Sequence, residues 1–368
     1  MMLRSPGMAV VQPFRAVRYD ETSAGPLDSL VAPPYDVISS DERERLRARS
    51  PHNIVRLTLP DSEEQAALDL ASWSESGVLV RDEVPTVWAL AQDFVGPDGV
   101  ARRREGIVAS LRAEPYERGV VLPHERTHTG PKEGRLRLLR ATRTQLEPIF
   151  LLYDGPPPAR PPERAPDLQA EGTRLWRVGG AADAVTAALA ETQLLIADGH
   201  HRYETALAFH AEQGTPESAF LMVVLVSTSD SGLTIFPTHR VFTSPRLLKG
   251  ERLAAPSLEA ALAALEAAAP EAPAAVEVTR EGVVLVTGRP GQLDVELVDT
   301  LGHEAISYTP DTDEALRRVA EREAEVAYLL RPTRIEDVFA VARRGDVLPQ
   351  KTTYFYPKLL SGLLLHPL

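Results

Sequence analysis

The chain has 368 residues, 40 basic and 52 acidic side chains, a formal charge of −12 and no cysteine. The missing thiols exclude disulfides, thiolate nucleophiles, iron–sulfur clusters and cysteine-containing zinc sites. The acidic balance makes nucleic acid an unexpected partner, no apolar run reaches the ~18 residues that span a membrane, and no secretory leader is evident, so a cytoplasmic protein of two or three domains is expected.

In chain order, residues 1–60 carry 31-VAPPYDVIS-39 and 53-NIVRLTLP-60, whose prolines disfavour helix and set extended turns. Tyr35, Asp36, Asn53 and Arg56 are the polar candidates here. Ser40 is the expected cap of a helix over the acidic and basic residues that follow it, and a second helix is expected over 62–77. Strands are expected at 86–95 and 102–114 around a turn at Pro97, Asp98 and Gly99.

The stretch 121-VLPHERTHTGPKEG-134 contains His124, Glu125 and His128 at the spacing of a zinc-protease helix. Pro123 before it and Gly130–Pro131 after it leave too little helix for two ligating turns. The absence of thiols removes a zinc-finger reading. What remains is a loop that holds a carboxylate beside a histidine, with Glu125 free to act as a general base. A short basic helix is expected at 135–145, with Lys132 and Arg135 adding charge for phosphates. A strand at 148–155, a Pro-rich surface insertion at 155–167, a strand at 174–178 and a helix at 181–192 follow.

The most informative pattern is 193-QLLIADGHHRYETAL-207. A continuous apolar run reads as a buried strand ending at Asp198–Gly199, and a helix closed by Gly214 begins at once. Unpaired amides and the positive end of the dipole make such a junction an anion site. Gly199 permits the turn and close approach of a ligand, while His200, His201 and Arg202 add donors suited to phosphate oxygens. Asp198 is then an acceptor for a hydroxyl or for Mg²⁺; the plainer alternative is that it only caps the helix.

Strands at 219–227 and 232–242 come next, the second carrying Thr238, His239 and Arg240. The Ala/Glu-rich stretch 253–275 reads as a solvated helix and spacer, and strands are expected at 281–286 and 293–298. In 350-QKTTYFYPK-358, Lys351 and Lys358 flank aromatics. Histidines 124, 128, 200, 201 and 239 all fall within these motifs, which favours one shared polar site. The alternation of strands and helices indicates mixed α/β.

Together, APPYDVI, NIVRL, HERT, PIFLLYD, ADGHHRYETAL, PTHRVF and LPQKTTYFYPKLLSG resemble, over nearly the whole chain, a large family known as a domain of unknown function. The central part also resembles the ParB/sulfiredoxin-like fold. Sulfiredoxin chemistry needs a cysteine where this chain has His200. Proteins of that superfamily with an acidic first motif and a D-G-H-x-R second motif are similar to free L-serine kinases. The resemblance implies a mixed α/β (α+β) fold, with a ParB/sulfiredoxin-like nucleotide-binding core at 116–245 between α/β parts at 1–115 and 246–368. It implies transfer of the γ-phosphate of ATP, or the β-phosphate of ADP, to free L-serine with Mg²⁺. Glu125 would be the general base, Asp198 would stand at the hydroxyl or metal, and Gly199 to Arg202 would cradle phosphate, with His200 catalytic. His124, Thr238, His239, Arg240, Tyr35, Asp36, Asn53, Arg56 and Lys351 are the expected substrate contacts. Two alternatives stay open: a ParB-like nucleotide-dependent switch tied to DNA, and a metal-dependent hydrolase using His124, His200, His201 and Asp198. A homodimer also stays open.

Overall fold

A computed structural model describes residues 8–125, 129–190 and 192–368. They form two large sheets with their helices, three two-stranded ribbons, and a C-terminal segment whose last strand, His366–Pro367, pairs with Thr144–Gln145 in one of those ribbons.

The larger sheet has nine strands, in the order 121–122, 194–198, 149–153, 220–227, 101–112, 88–95, 173–177 and 168–170, with 11–12 beside 101–112. Strands 149–153 and 220–227 pair in parallel at its centre, and their outer neighbours 194–198 and 101–112 run antiparallel to them. The central strands are apolar in both alternations because both faces are covered. Val108, Phe150, Leu152 and Val224 enter one core. Ile107, Leu151, Ile196 and Val223 enter the other, together with Tyr203 of the helix His200–Gln213.

The smaller sheet is antiparallel throughout, in the order 251–255, 282–287, 274–279, 326–329, 239–242 and 306–309. Helices Leu258–Ala267 and Thr312–Ala320 bury Leu265 and Val319 on one face. Helix Asp294–Asp299 buries Val295 and Val298 on the other.

Several sequence expectations are corrected here. The expected strand 232–242 is two strands in different sheets: Thr234–Phe236 pairs with Tyr354–Tyr356, and His239–Phe242 joins the smaller sheet. Pro237 lies at the break, where a missing N–H ends the ladder. The helix expected within 253–275 forms at Leu258–Ala267, but it buries Ala261 and Leu265, and the stretch ends in the strand Ala274–Thr279, whose Ala274, Ala275 and Val276 are fully buried, rather than in a solvated spacer. Residues 293–298 form a helix rather than a strand; Asp294 and Glu296 suit its first turn, and Glu296 accepts the Leu293 N–H at 2.7 Å. The helix expected at 135–145 runs from Thr129 to Thr142. Gly130 and Pro131 fall in its first turn, where proline has no helical bond to lose. The cap of helix Ser40–Arg49 is Ser39, which accepts the Glu42 N–H. Strands on both sides of residue 115 share the larger sheet, and 239–242 belongs to the smaller, so the expected boundaries at 115 and 245 do not coincide with the sheets.

The C-terminal segment is anchored to the body. His366–Pro367 pairs with Thr144–Gln145, Leu365 bridges to Val17, and Ser361 bridges to Ala32. The buried Arg104 donates to the carbonyls of Tyr356 at 3.3 Å and Pro357 at 2.7 Å, with its guanidinium 4.6 Å from the centre of the Phe150 ring. Burial pushes that guanidinium down to about 9. Among the described residues no helix is long and apolar enough to cross a membrane.

Candidate active site

Strand Leu194–Asp198 ends at Gly199, whose φ of +97° starts helix His200–Gln213 directly. Arg202 folds back along the helix. Its Nη2 donates to Asp198 Oδ2 at 2.7 Å, and its Nη1 donates to the Pro148 carbonyl. Lys358 Nζ takes the other oxygen, Oδ1, also at 2.7 Å. Burial acts to raise the Asp198 carboxyl, but Lys358 and Arg202 outweigh it and hold it below the usual carboxylate range. Against the opposing pull of burial, the same pairing raises the Lys358 ammonium and the Arg202 guanidinium.

Gly199 is required twice over. Its φ lies in the left-handed region, and a Cβ there would sit 3.1 Å from the tethered Arg202 guanidinium. Gly199→Ala is therefore expected to cost about 1–2 kcal/mol, read as a lower urea midpoint. Stability within about 0.5 kcal/mol of the parent contradicts this account of the turn.

Glu125 reaches the same place from another part of the chain. The Leu348 N–H donates to the His124 carbonyl at 2.8 Å, and the Lys351 N–H donates to Glu125 Oε1 at 3.0 Å. Glu125 and the turn from Asp198 to Arg202 line one cavity of about 230 Å³. Tyr35, Asp36, Thr238 and Lys351 line it as well, as do Tyr308, Thr353, Tyr354 and Lys358, which were not among the expected contacts. Lys358 stood at the end of 350-QKTTYFYPK-358, where the flanking lysines were its signal. Tyr308 had none.

The histidines divide differently from expectation. His124 is fully buried and outside the cavity lining. Its Nδ1–H meets the Ile196 carbonyl at 2.6 Å, so Nε2 is left to accept from the Thr353 hydroxyl at 2.9 Å. Its backbone N–H donates to His200 Nε2 at 3.3 Å. Burial pushes both imidazoles down and keeps them neutral. His124 thus ties strand end, helix start and C-terminal segment together and lies outside the cavity lining. His200 lines the cavity with Nε2 turned to this bond, and His201 lines it too. His239 lies in the smaller sheet, where Nδ1 accepts the Leu330 N–H at 3.2 Å and Nε2 meets the Thr312 hydroxyl at 2.9 Å. Its burial drives it down to about 4. His128 lies outside the described residues, so its place in the expected shared site is not part of this geometry.

Other expected contacts serve the frame. Asn53 is buried, donates to the Ser29 and Val31 carbonyls, and accepts the Val55 N–H. Arg56 donates to the Arg47 carbonyl, and Lys132 pairs with Glu204 at 3.1 Å. Arg135 donates to the Thr58 carbonyl and lies 4.1 Å over the ring of Tyr35, whose hydroxyl burial pushes up to about 12. Arg240 is buried, donates to the carbonyls of Thr238 and Gln350, and lies 5.4 Å from the centre of the Tyr308 ring. None of these four cations or Asn53 lines the cavity.

Asp198, the residue expected at the metal, is already paired with two cations. Both Asp198 oxygens meet cations at 2.7 Å, which Mg²⁺ would have to displace. Among the described residues, no three His, Asp or Glu side chains are placed to hold an ion. That leaves the hydrolase set His124, His200, His201 and Asp198 without a coordination shell.

Residues 11–322 match the family model described as a protein of unknown function, DUF1015. The chain belongs to this family. Its C-terminal cavity residues, from Lys351 to Lys358, lie beyond the matched range. No curated protein matches the DUF1015 chain. Among solved structures it is similar to a free serine kinase in complex with AMP, at 16% identity and a TM-score of 0.41 over 66% of this chain and 89% of that one. A mutant of a free serine kinase in complex with ADP gives 17%, 0.40, 66% and 89%. SbnI from Staphylococcus aureus, truncated at its C-terminus, gives 12%, 0.40, 69% and 85%.

Proposed function

We propose that this protein is a small-molecule kinase that transfers the γ-phosphoryl group of ATP, or the β-phosphoryl group of ADP, to the hydroxyl of free L-serine. The observation that carries the reading is that Glu125 and the Asp198–Arg202 turn, distant in sequence, line one cavity. Phosphoryl transfer asks for positioning and charge neutralisation more than for covalent catalysis. The first amides of helix His200–Gln213 face developing phosphate charge without reorganising. Glu125 takes the proton as the serine oxygen bonds to phosphorus, and the bond from phosphorus to the departing nucleotide oxygen breaks. Asp198, ionised between Lys358 and Arg202, holds these cations in place rather than giving up a proton.

The cavity is below the ~300–1,000 Å³ of pockets for drug-sized ligands. At about 230 Å³ it suits a small polar acceptor and the phosphate end of a nucleotide. Phosphorus NMR of the purified protein with ATP, MgCl₂ and a panel of amino acids tests the reading. A phosphomonoester signal that appears with serine is the expected result. Release of ADP at a rate indifferent to every acceptor contradicts it.

A further inference from the structure

We propose that Lys358 is the cation that receives the terminal phosphate of the phosphoryl donor, with Asp198 as its counter-ion before the donor arrives. The inference rests on the kinase reading above and names one contact within it. Lys358 and Asp198 are 160 positions apart, yet their side chains meet at 2.7 Å. Asp198 immediately precedes the Gly199 turn, so the ammonium stands beside the start of helix His200–Gln213. An ammonium has three N–H donors. Asp198 takes one of them, and the Tyr354 ring, its centre 5.5 Å away, offers only a face. Donors remaining beside a helix N-terminus are suited to a phosphate oxygen.

One polar group beside the cavity is also unsatisfied. Thr238 is 6% exposed and lines the cavity, and its buried hydroxyl has no partner among the described residues, whereas buried hydroxyls are ordinarily hydrogen-bonded.

The other cations are less suited to this contact. Arg202 is folded onto Asp198 and the Pro148 carbonyl, and Lys351 is exposed. Lys358, by contrast, sits on a fixed base. Arg104 holds the carbonyls of Tyr356 and Pro357, and the Thr353 hydroxyl is bonded to His124. The N–H donors that Asp198 leaves unused meet an entering phosphate while the ion pair with Asp198 stays in place.

Calorimetric affinities of the full chain for AMP, ADP and ATP, compared with Lys358→Met, test the contact. Loss of one charge-assisted hydrogen bond is expected to weaken the di- or triphosphate by about 10–100-fold and AMP by less than about threefold. Equal weakening of all three nucleotides, or no change, overturns the proposal. If Lys358→Met does not fold, judged by circular dichroism, Lys358→Arg replaces it. That variant keeps the charge but alters reach and geometry, and it is expected to reduce the preference for ATP over AMP; an unaltered preference overturns the proposal. A Lys358-dependent preference with no phosphorylation of serine leaves this contact standing and removes the kinase reading. Serine phosphorylation with no such preference does the reverse.

Discussion

Glu125→Gln is expected to lower the turnover of phosphoryl transfer to serine by about 10²–10⁴-fold, with nucleotide affinity changed by less than about twofold. Glutamine keeps an oxygen able to accept the Lys351 N–H, which Glu125 Oε1 now takes at 3.0 Å. The tie to the C-terminal segment therefore survives, and the variant separates loss of a base from loss of structure. Glu125 is not a partner in the Asp198–Arg202–Lys358 ion pairs, so the phosphate side of the cavity is left intact. Steady-state kinetics and equilibrium nucleotide binding on the same preparation check both halves. A turnover within about threefold of the parent means that Glu125 is not the base.

Stability is expected to fall steeply as pH drops from about 6.5 to about 4. Burial pushes His239 and His366 each down to about 4 from an ordinary 6.5, and pushes His124 and His200 down as well. These rings stay neutral in the fold, whereas the unfolded chain takes up protons below about 6.5. Their contribution is therefore complete above the unfolded value and is lost as pH falls through the window toward the folded one. For His239 and His366 the gap corresponds to on the order of 3 kcal/mol each. Asp198, held low, adds a loss only below the ordinary carboxylate range. Urea midpoints between pH 7.5 and 4.5 measure the slope. His366→Gln, which removes a ring bonded to Ser110 and packed 5.0 Å from Phe14, is expected to flatten it. A midpoint independent of pH across this window contradicts the neutral, buried state of these rings.

The strand, turn and helix from Leu194 to Gln213 were legible in the sequence because three separate signals agree there: an apolar run, a glycine and a closing Gly214. The placement of Glu125 opposite that turn followed from ordered motifs rather than from any local period. The histidines were legible as chemistry but not as surroundings. Nothing next to His124 or His239 in the chain says that Ile196, Thr353, Leu330 or Thr312 will surround them. The alanines at 274 and 275 suit a solvated helix or a covered strand equally, and only packing against other elements decides. Asp294 to Asp299 reads as apolar–acidic alternation, yet carboxylates in a first turn favoured helix. Lys358 meets Asp198 only through a C-terminal return along Ala32, Val17 and Thr144, and no spacing rule connects residues so far apart.

The joint use of Glu125 and the Gly199 turn carries the rest, and an experimental structure with serine and a non-hydrolysable ATP analogue examines it most directly. The terminal phosphate is predicted within about 3 Å of the first amide nitrogens of helix His200–Gln213, with the serine hydroxyl between it and the Glu125 carboxylate. An analogue bound away from this cavity, or Glu125 turned from the acceptor, contradicts the proposed mechanism.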